Sequence, residues 1–152
     1  EDISIRPGTS LDDIEFVGSV GPAKRQELMA KAKATFVPTL YLEPFGGVAV
    51  ESQMCGTPVI TTDWGAFTET VLHGITGYRC RTFDDFIWAT NNIGNIDPWK
   101  CVQWATSNYS MNRISKMFKE YFDKIMTLWG QGWYTENMSR SELDWLTKYY
   151  PK

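Results

Sequence analysis

Cysteine and histidine are scarce in this chain of 152 residues, which contains three cysteines (Cys55, Cys80 and Cys101) and one histidine, His73. A disulfide framework needs paired cysteines, and a zinc site needs ligands at short, regular spacings. An odd cysteine count without a Cys-x-x-Cys pair fits neither arrangement. We therefore expect free, buried thiols, no bound metal and a reducing compartment, which predicts a cytoplasmic location.

An excess of positive charge and long apolar runs are also lacking. The 15 Lys and Arg residues stand against 18 Asp and Glu residues, for a net charge of −3, whereas nucleic acid binding requires a clustered basic excess. Lys24, Arg25, Lys31 and Lys33 are interpreted as the solvated face of a helix. No apolar run approaches the roughly 20 residues that span a bilayer. The sequence predicts neither a nucleic acid partner nor a transmembrane helix.

Short strands and helices alternate in the first half of the chain. The pattern predicts strands at 14–17, 34–37, 58–61 and 77–80, and helices at 22–33, 48–55 and 67–72. Pro22 suits a first helical turn, and Gly56 suits the left-handed position after a helix. Strand–helix–strand alternation is typical of a parallel sheet covered by helices. The predicted fold class is therefore α/β, a Rossmann-like parallel sheet flanked by helices.

Beyond residue 83 the pattern predicts helices only, at 84–94, 97–108, 111–129 and 139–150. In the third of these, apolar residues recur at helical spacing from Ile114 to Trp129. Four strands are fewer than the five or six of a doubly wound domain. We therefore expect a partial domain at residues 1–130, followed by a helical C-terminal extension at 131–152.

The segment from Glu43 to Glu51 follows the second predicted strand and contains Gly46 and Gly47 directly before a helix. Ligands of open parallel sheets bind beyond the carboxyl ends of the strands. The unpaired N–H groups of a helix start carry partial positive charge and favour a phosphate or diphosphate. A carboxylate cannot bind the phosphate itself, but Glu51 can accept hydrogen bonds from ribose hydroxyls and Glu43 from those of a sugar.

Together, Glu43-Pro-Phe-Gly-Gly, Glu51, residues 55–60 (Cys-Gly-Thr-Pro-Val-Ile), Gly65 and Glu69 resemble the EX7E region of family-4 retaining glycosyltransferases. The resemblance covers about residues 14–80. It implies the GT-B fold, in which two Rossmann-like domains face each other, and it identifies this chain with the C-terminal, donor-binding half. It implies sugar transfer from a nucleotide-diphosphate sugar with retention of configuration and without a cofactor or metal; no Asp-x-Asp triplet occurs.

The resemblance also implies roles for individual residues. Glu43 would lie near the donor sugar as the catalytic residue, and Glu51 would bind the ribose hydroxyls. Backbone amides would contact the sugar and the phosphates, and the turn after the first predicted strand would hold the base. These two groups of donor-binding residues are Phe45, Gly46, Gly47 and Val48 for the amides, and Ser19 and Val20 for the base. No definite role is implied for Gly65 or Glu69.

Two parts of such an enzyme are not expected in this chain: the basic residues that bind the donor phosphates and the N-terminal acceptor domain. The chain alone is therefore predicted to be inactive. Its expected partners are a UDP-, GDP- or ADP-linked sugar and the acceptor domain, with any peripheral membrane association arising through that domain. An alternative is a non-catalytic nucleotide- or carbohydrate-binding module derived from such a domain. His73 is interpreted as a solvent-exposed helix end rather than a catalytic base. The tryptophans Trp88, Trp99, Trp104 and Trp129 are interpreted as core packing or as contacts with the missing domain rather than as sugar-stacking residues.

Overall fold

The structure, a computed structural model, describes residues 14–127. The predicted helix at 139–150, the extension at 131–152 and Trp129 lie outside the described residues. The helices and strands, in chain order, are α1 (Pro22–Lys31), β1 (Thr35–Val37), α2 (Gly47–Met54), β2 (Val59–Thr62), α3 (Phe67–Thr70), β3 (Gly77–Cys80), α4 (Phe83–Asn92), a 3₁₀ turn (Ile93–Asn95), α5 (Pro98–Tyr109) and α6 (Met111–Thr127).

The three strands form one parallel sheet in the order β1–β2–β3. Phe36 is paired with Ile60 in β2, and Ile60 is paired with Tyr78 in β3. Because all three strands are parallel, their carboxyl ends meet at one edge of the sheet. The α/β, Rossmann-like prediction is confirmed, and three of the four predicted strands lie within two residues of their predicted bounds.

The first predicted strand, at 14–17, is not a strand in the structure. Residues 14–17 have no regular secondary structure, and Phe16 is 91% exposed. Among the described residues, β1 is paired only with β2. A strand needs a neighbour for its backbone N–H and C=O groups, so apolar alternation at 14–17 was not sufficient to make one. The described sheet therefore has one strand fewer than expected.

Apolar side chains form a core on each face of the sheet. Val59 and Ile60 are neighbours on β2 and point to opposite faces, since successive side chains of a strand alternate. Val59 packs with Ala49 of α2 and Phe67 of α3. Ile60 belongs to the other cluster, which includes Tyr78, Cys80, Ala89, Ile96 and Cys101. Two covered faces explain why all four residues of β2 are buried.

The thiols of Cys80 and Cys101 are buried in this second cluster, whereas that of Cys55 is half-buried. Burial raises the pKa of both Cys80 and Cys101 to about 11. All three cysteines are free, so the prediction of free thiols is confirmed. The prediction that the thiols are buried is confirmed for Cys80 and Cys101 but not for Cys55.

Helix α6 carries the apolar stripe that the sequence predicts. Met117, Phe118, Tyr121, Phe122 and Met126 are nevertheless all exposed, and Phe118 stacks on Phe122. Within residues 14–127, no helix is both long enough and apolar enough to cross a bilayer.

Candidate functional site

The loop that follows β1 is hydrogen-bonded to the end of β2 and to the segment after it, at the carboxyl edge of the sheet. The Thr62 hydroxyl donates to the Thr39 carbonyl at 2.9 Å, and the Trp64 indole donates to the Tyr41 carbonyl at 3.2 Å. This edge is where open parallel sheets bind ligands. The loop of residues 38–46, which contains Glu43, is thus supported from the neighbouring strand.

The Glu43 carboxylate is held by its own loop. One oxygen, Oε2, accepts from the Tyr41 hydroxyl at 2.7 Å. The other, Oε1, accepts from the backbone N–H of Gly46 at 2.9 Å and, more weakly, from that of Phe45 at 3.4 Å. The Tyr41 hydroxyl, followed by the Gly46 and Phe45 amides, lowers the pKa of Glu43. Glu43 is therefore an oriented, ionised carboxylate at neutral pH.

Two glycines allow this loop to pack closely. Gly65 has a φ of +61°, and a Cβ there would lie 2.7 Å from both the backbone N and O of Glu43. The Ala66 N–H donates to that same Glu43 oxygen at 2.8 Å. Gly46 has a φ of +76°, and a Cβ there would lie 2.6 Å from the Phe67 ring. The sequence indicated no definite role for Gly65. In the structure, its lack of a side chain allows it to pack against the Glu43 backbone.

Helix α2 begins with free backbone donors. The first helical amides with internal acceptors are those of Ala49 and Val50, which donate to the Gly46 carbonyl. Within the described part of the chain, the N–H groups of Gly47 and Val48 donate to no acceptor. Of the four amides predicted to contact the donor, two are therefore occupied by Glu43 and two are available to a ligand.

Glu51 lies one turn into α2 and binds Arg25 of α1. The Arg25 Nε donates to Glu51 Oε2 at 2.6 Å, and Nη2 donates to Oε1 at 3.2 Å. The two side chains are 39% and 46% exposed, respectively. The interpretation of Arg25 as part of a solvated helix face holds only in part, because the side chain is 39% exposed but faces Glu51 of α2. It holds for Lys24 and Lys31, which pair with Glu27 on the same helix.

Ser19 and Val20 lie in the bend directly before α1. Ser19 is exposed and Val20 is half-buried. Gly18 before them has a φ of +64°, and Gly21 after them is the N-cap of α1. Because α1 also carries Arg25, this bend and Arg25 belong to one continuous segment of chain.

Asp63, directly after β2, pairs with two arginines. The Arg79 Nε lies 3.4 Å from Asp63 Oδ1, and the Arg81 Nε lies 2.7 Å from Oδ2. Arg79 also donates from Nη1 to the Thr68 carbonyl at 3.1 Å. These contacts tie β3 to the segment 63–68 that carries Gly65. His73 Nδ1 accepts from the Arg79 backbone N–H at 3.0 Å. The residue is exposed, as expected, but it forms a β-bridge with Gly77 instead of ending a helix.

The described tryptophans differ in environment. Trp104 is part-buried and donates from its indole to the Thr70 carbonyl, and Trp88 packs edge-on against Tyr78. Trp99 is 76% exposed. Core packing therefore accounts for Trp104 and in part for Trp88, but not for Trp99.

Sequence reasoning missed three residues of this site: Tyr41, Arg25 and Arg79. Tyr41 lies two residues before Glu43, so its proximity was a usable signal. Arg25 and Arg79 lie 26 and 16 residues from Glu51 and Asp63, respectively, and only the packing of α1 on α2 and of β3 on β2 brings each pair together.

Comparison with known proteins identifies a family that this chain matches. Residues 9–93, more than half of the chain, match a family described as "Glycosyl transferases group 1". The matched range includes the loop at 38–46, all of α2 and the strands of the described sheet.

Three curated relatives agree with that match. Sucrose synthase 2 of Tulipa gesneriana is 31% identical over 122 residues, which are 75% of this chain and 15% of the relative. Glycogen synthase of Mycobacterium tuberculosis is 39% identical over 69 residues, 45% of this chain and 16% of the relative. D-inositol 3-phosphate glycosyltransferase of Nocardiopsis dassonvillei is 42% identical over 65 residues, 41% of this chain and 15% of the relative. The chain thus spans about one sixth of the length of these relatives.

Proposed function

This chain belongs to the glycosyl transferases of group 1, and from that premise we propose that it forms the donor-binding part of an enzyme that transfers a sugar from a nucleotide-diphosphate sugar to an acceptor. Glu43 and Glu51 are then the two glutamates of an EX7E motif of the family-4 type. Transfer proceeds with retention of configuration and without a metal. The acceptor is bound by a further domain, and the enzyme acts in the cytoplasm.

The observation that carries this proposal is the start of α2. The free N–H groups of Gly47 and Val48 point from a helix N-terminus, where partial positive charge favours a diphosphate. They stabilise the charge that builds on the departing diphosphate during transfer. The amides of Phe45 and Gly46 donate to Glu43 instead, so of the four predicted amides only those of Gly47 and Val48 remain for the diphosphate.

The two glutamates lie on either side of this diphosphate position in the chain. Glu43 is ionised and is oriented by Tyr41 and Gly46. Its carboxylate accepts hydrogen bonds from hydroxyls of the donor sugar and lies near the reacting carbon. Glu51 receives the ribose hydroxyls. Ser19 and Val20, in the bend before α1, contact the base through backbone groups. This arrangement assigns one group of residues to each part of a nucleotide sugar.

A thermal-shift screen of the full-length protein with UDP-, GDP- and ADP-linked sugars tests the proposal. A ligand that binds only the folded state stabilises it by about 2.7 kcal/mol at 100 times its Kd. We expect one base class to raise the Tm and Glu51→Ala to reduce that rise. Glu27→Ala is the matched control, because Glu27 is an exposed, ion-paired glutamate on the neighbouring helix. No response to any of the three classes, or an equal response of Glu51→Ala and wild type, would refute the donor site.

A non-catalytic binding module would give the same thermal shifts, so a second assay separates the two functions. Incubating the full-length protein with the stabilising donor and a panel of sugar acceptors should yield a glycoside whose anomeric proton shows the donor's configuration by NMR. Residues 1–152 alone should bind the donor weakly and form no product. Binding by the full-length protein without any transfer would favour the module, and transfer by the isolated chain would contradict the proposed inactivity.

A further inference from the structure

The Arg25–Glu51 pair is a bidentate contact between two helices. It joins the Nε and Nη2 of one guanidinium to the two oxygens of one carboxylate, across 26 residues of chain. Such fork-to-fork contacts fix the orientation of the carboxylate as well as its charge. Glu51 is the residue proposed to receive the ribose, so its orientation in the ligand-free protein bears directly on donor binding.

As a stabiliser of the fold, this pair is expected to contribute little. Both side chains are partly exposed, and exposed ion pairs contribute little to stability. Helix α1 is anchored independently of it: Met29 is buried, and the buried Thr57 hydroxyl donates to the Met29 carbonyl at 2.6 Å. The packing of α1 on α2 therefore does not depend on Arg25, and a role in binding can be separated from a role in folding.

The geometry leaves room for a ligand on the same carboxylate. An ionised carboxylate has about four lone-pair positions, two on each oxygen. Arg25 uses one position on each oxygen, so each oxygen can still accept one hydroxyl. Two adjacent hydroxyls are what a ribose presents through its 2′ and 3′ positions. Arg25 and a ribose can thus bind Glu51 at the same time.

Arg25 also lies close in sequence to the bend at Ser19 and Val20. Its backbone N–H donates to the Gly21 carbonyl at 3.0 Å, which is the first hydrogen bond of α1. The side chain therefore projects from the first turn of the helix that this bend leads into. One short segment, residues 19–25, connects the position proposed for the base with the arginine that binds the proposed ribose-binding carboxylate of Glu51.

We propose that Arg25 is a positioning residue of the donor site, whose guanidinium holds the Glu51 carboxylate in the orientation that receives the two ribose hydroxyls and stays paired with it in the complex. This inference rests on the proposed function of the site. It makes the preference for ribose over deoxyribose depend on a residue that does not contact the ribose.

The test compares the affinities of the full-length protein for UDP, GDP and ADP with those for the 2′-deoxy forms, measured by calorimetry. A hydrogen bond from a hydroxyl to a charged group corresponds to roughly tenfold in affinity, so wild type should prefer the ribose form by about that factor. Arg25→Ala should reduce this preference about threefold or more, and Arg25→Lys should restore it only in part because a lysine has no fork. Glu51→Ala should abolish it.

Two controls isolate the coupling. Lys31→Ala removes another ion pair of α1 and should leave the preference unchanged. Adding Arg25→Ala to Glu51→Ala should have no further effect on it, because Arg25 acts through Glu51. An unchanged preference in Arg25→Ala, or tighter binding of the ribose form because Arg25 competes with it, would overturn this inference alone. A wild type that binds none of the three diphosphates would overturn the donor site as well.

Discussion

The two glutamates of the site have the same chemistry but different kinds of support. Glu43 is held within its own loop, by a tyrosine two residues before it and an amide three residues after it. Glu51 is held by an arginine on another helix, 26 residues away. The Glu43 side chain thus depends on the shape of one loop, whereas that of Glu51 depends on how two helices pack. Substitutions can disturb the two supports separately.

The largest expected effect is that of Gly65→Ala. Gly65 has a φ of +61°, and a Cβ would lie 2.7 Å from the Glu43 backbone, which cannot rotate away as a side chain could. We expect a loss of about 2–4 kcal/mol in the free energy of unfolding, from the left-handed backbone and the overpacking together. Urea denaturation measures it. Gly74→Ala is the control: its φ is +77° but nothing lies within 4 Å, so its cost should be about 1 kcal/mol. Equal losses would contradict the close packing against Glu43.

The second effect concerns the support beneath the Glu43 loop. Arg79 is 24% exposed and ties Asp63 and the Thr68 carbonyl to β3. Arg79→Ala removes a partner from the part-buried Asp63 carboxylate and from the exposed Thr68 carbonyl, and it should cost about 1–1.5 kcal/mol. Arg81→Ala removes a partner of the same Asp63, but Arg81 is 75% exposed, so its cost should stay below about 1 kcal/mol. Urea unfolding midpoints of the two variants measure these losses. A larger loss in Arg81→Ala than in Arg79→Ala would refute the role of Arg79 in supporting the Glu43 loop.

The smallest expected effect is that of Tyr41→Phe, which removes the largest cause of the low Glu43 pKa. The pKa of Glu43 should rise toward its usual value of 4.5. A depressed pKa in the folded state contributes stability above the unfolded pKa and loses it as the pH falls through the folded pKa. The variant should therefore lose stability relative to wild type near neutral pH but not at strongly acidic pH.

Carboxyl-carbon NMR of Glu43 during an acid titration measures this change directly. Tyr121→Phe, on the exposed face of α6, is the matched control and should leave the titration of Glu43 unaltered. An unchanged Glu43 titration in Tyr41→Phe would show that the tyrosine does not support this carboxylate.

The same contrast, between contacts within a few residues and contacts between distant ones, separates the features that the sequence predicts from those that it does not. Helix periodicity and the positions of Pro22 and Gly56 predicted the helices, because those signals act within a few residues. The strand predicted at 14–17 failed because a strand depends on a neighbour that sequence alternation does not supply. Gly65 stood in the motif, but its closeness to Glu43 follows from two loops meeting at the sheet edge.

By itself, the amino-acid sequence determined the α/β class, the glycine start of α2 and the family, because short-range backbone preferences and a contiguous motif encode them. The tertiary structure alone decided which groups each glutamate contacts. Glu43 occupies two of the four amides of its loop, and Glu51 pairs with Arg25. Such hydrogen bonds form only at distances of about 3 Å. For Glu43 the shape of its own loop sets those distances, and for Glu51 the packing of α1 on α2 brings together residues that are 26 positions apart in the chain.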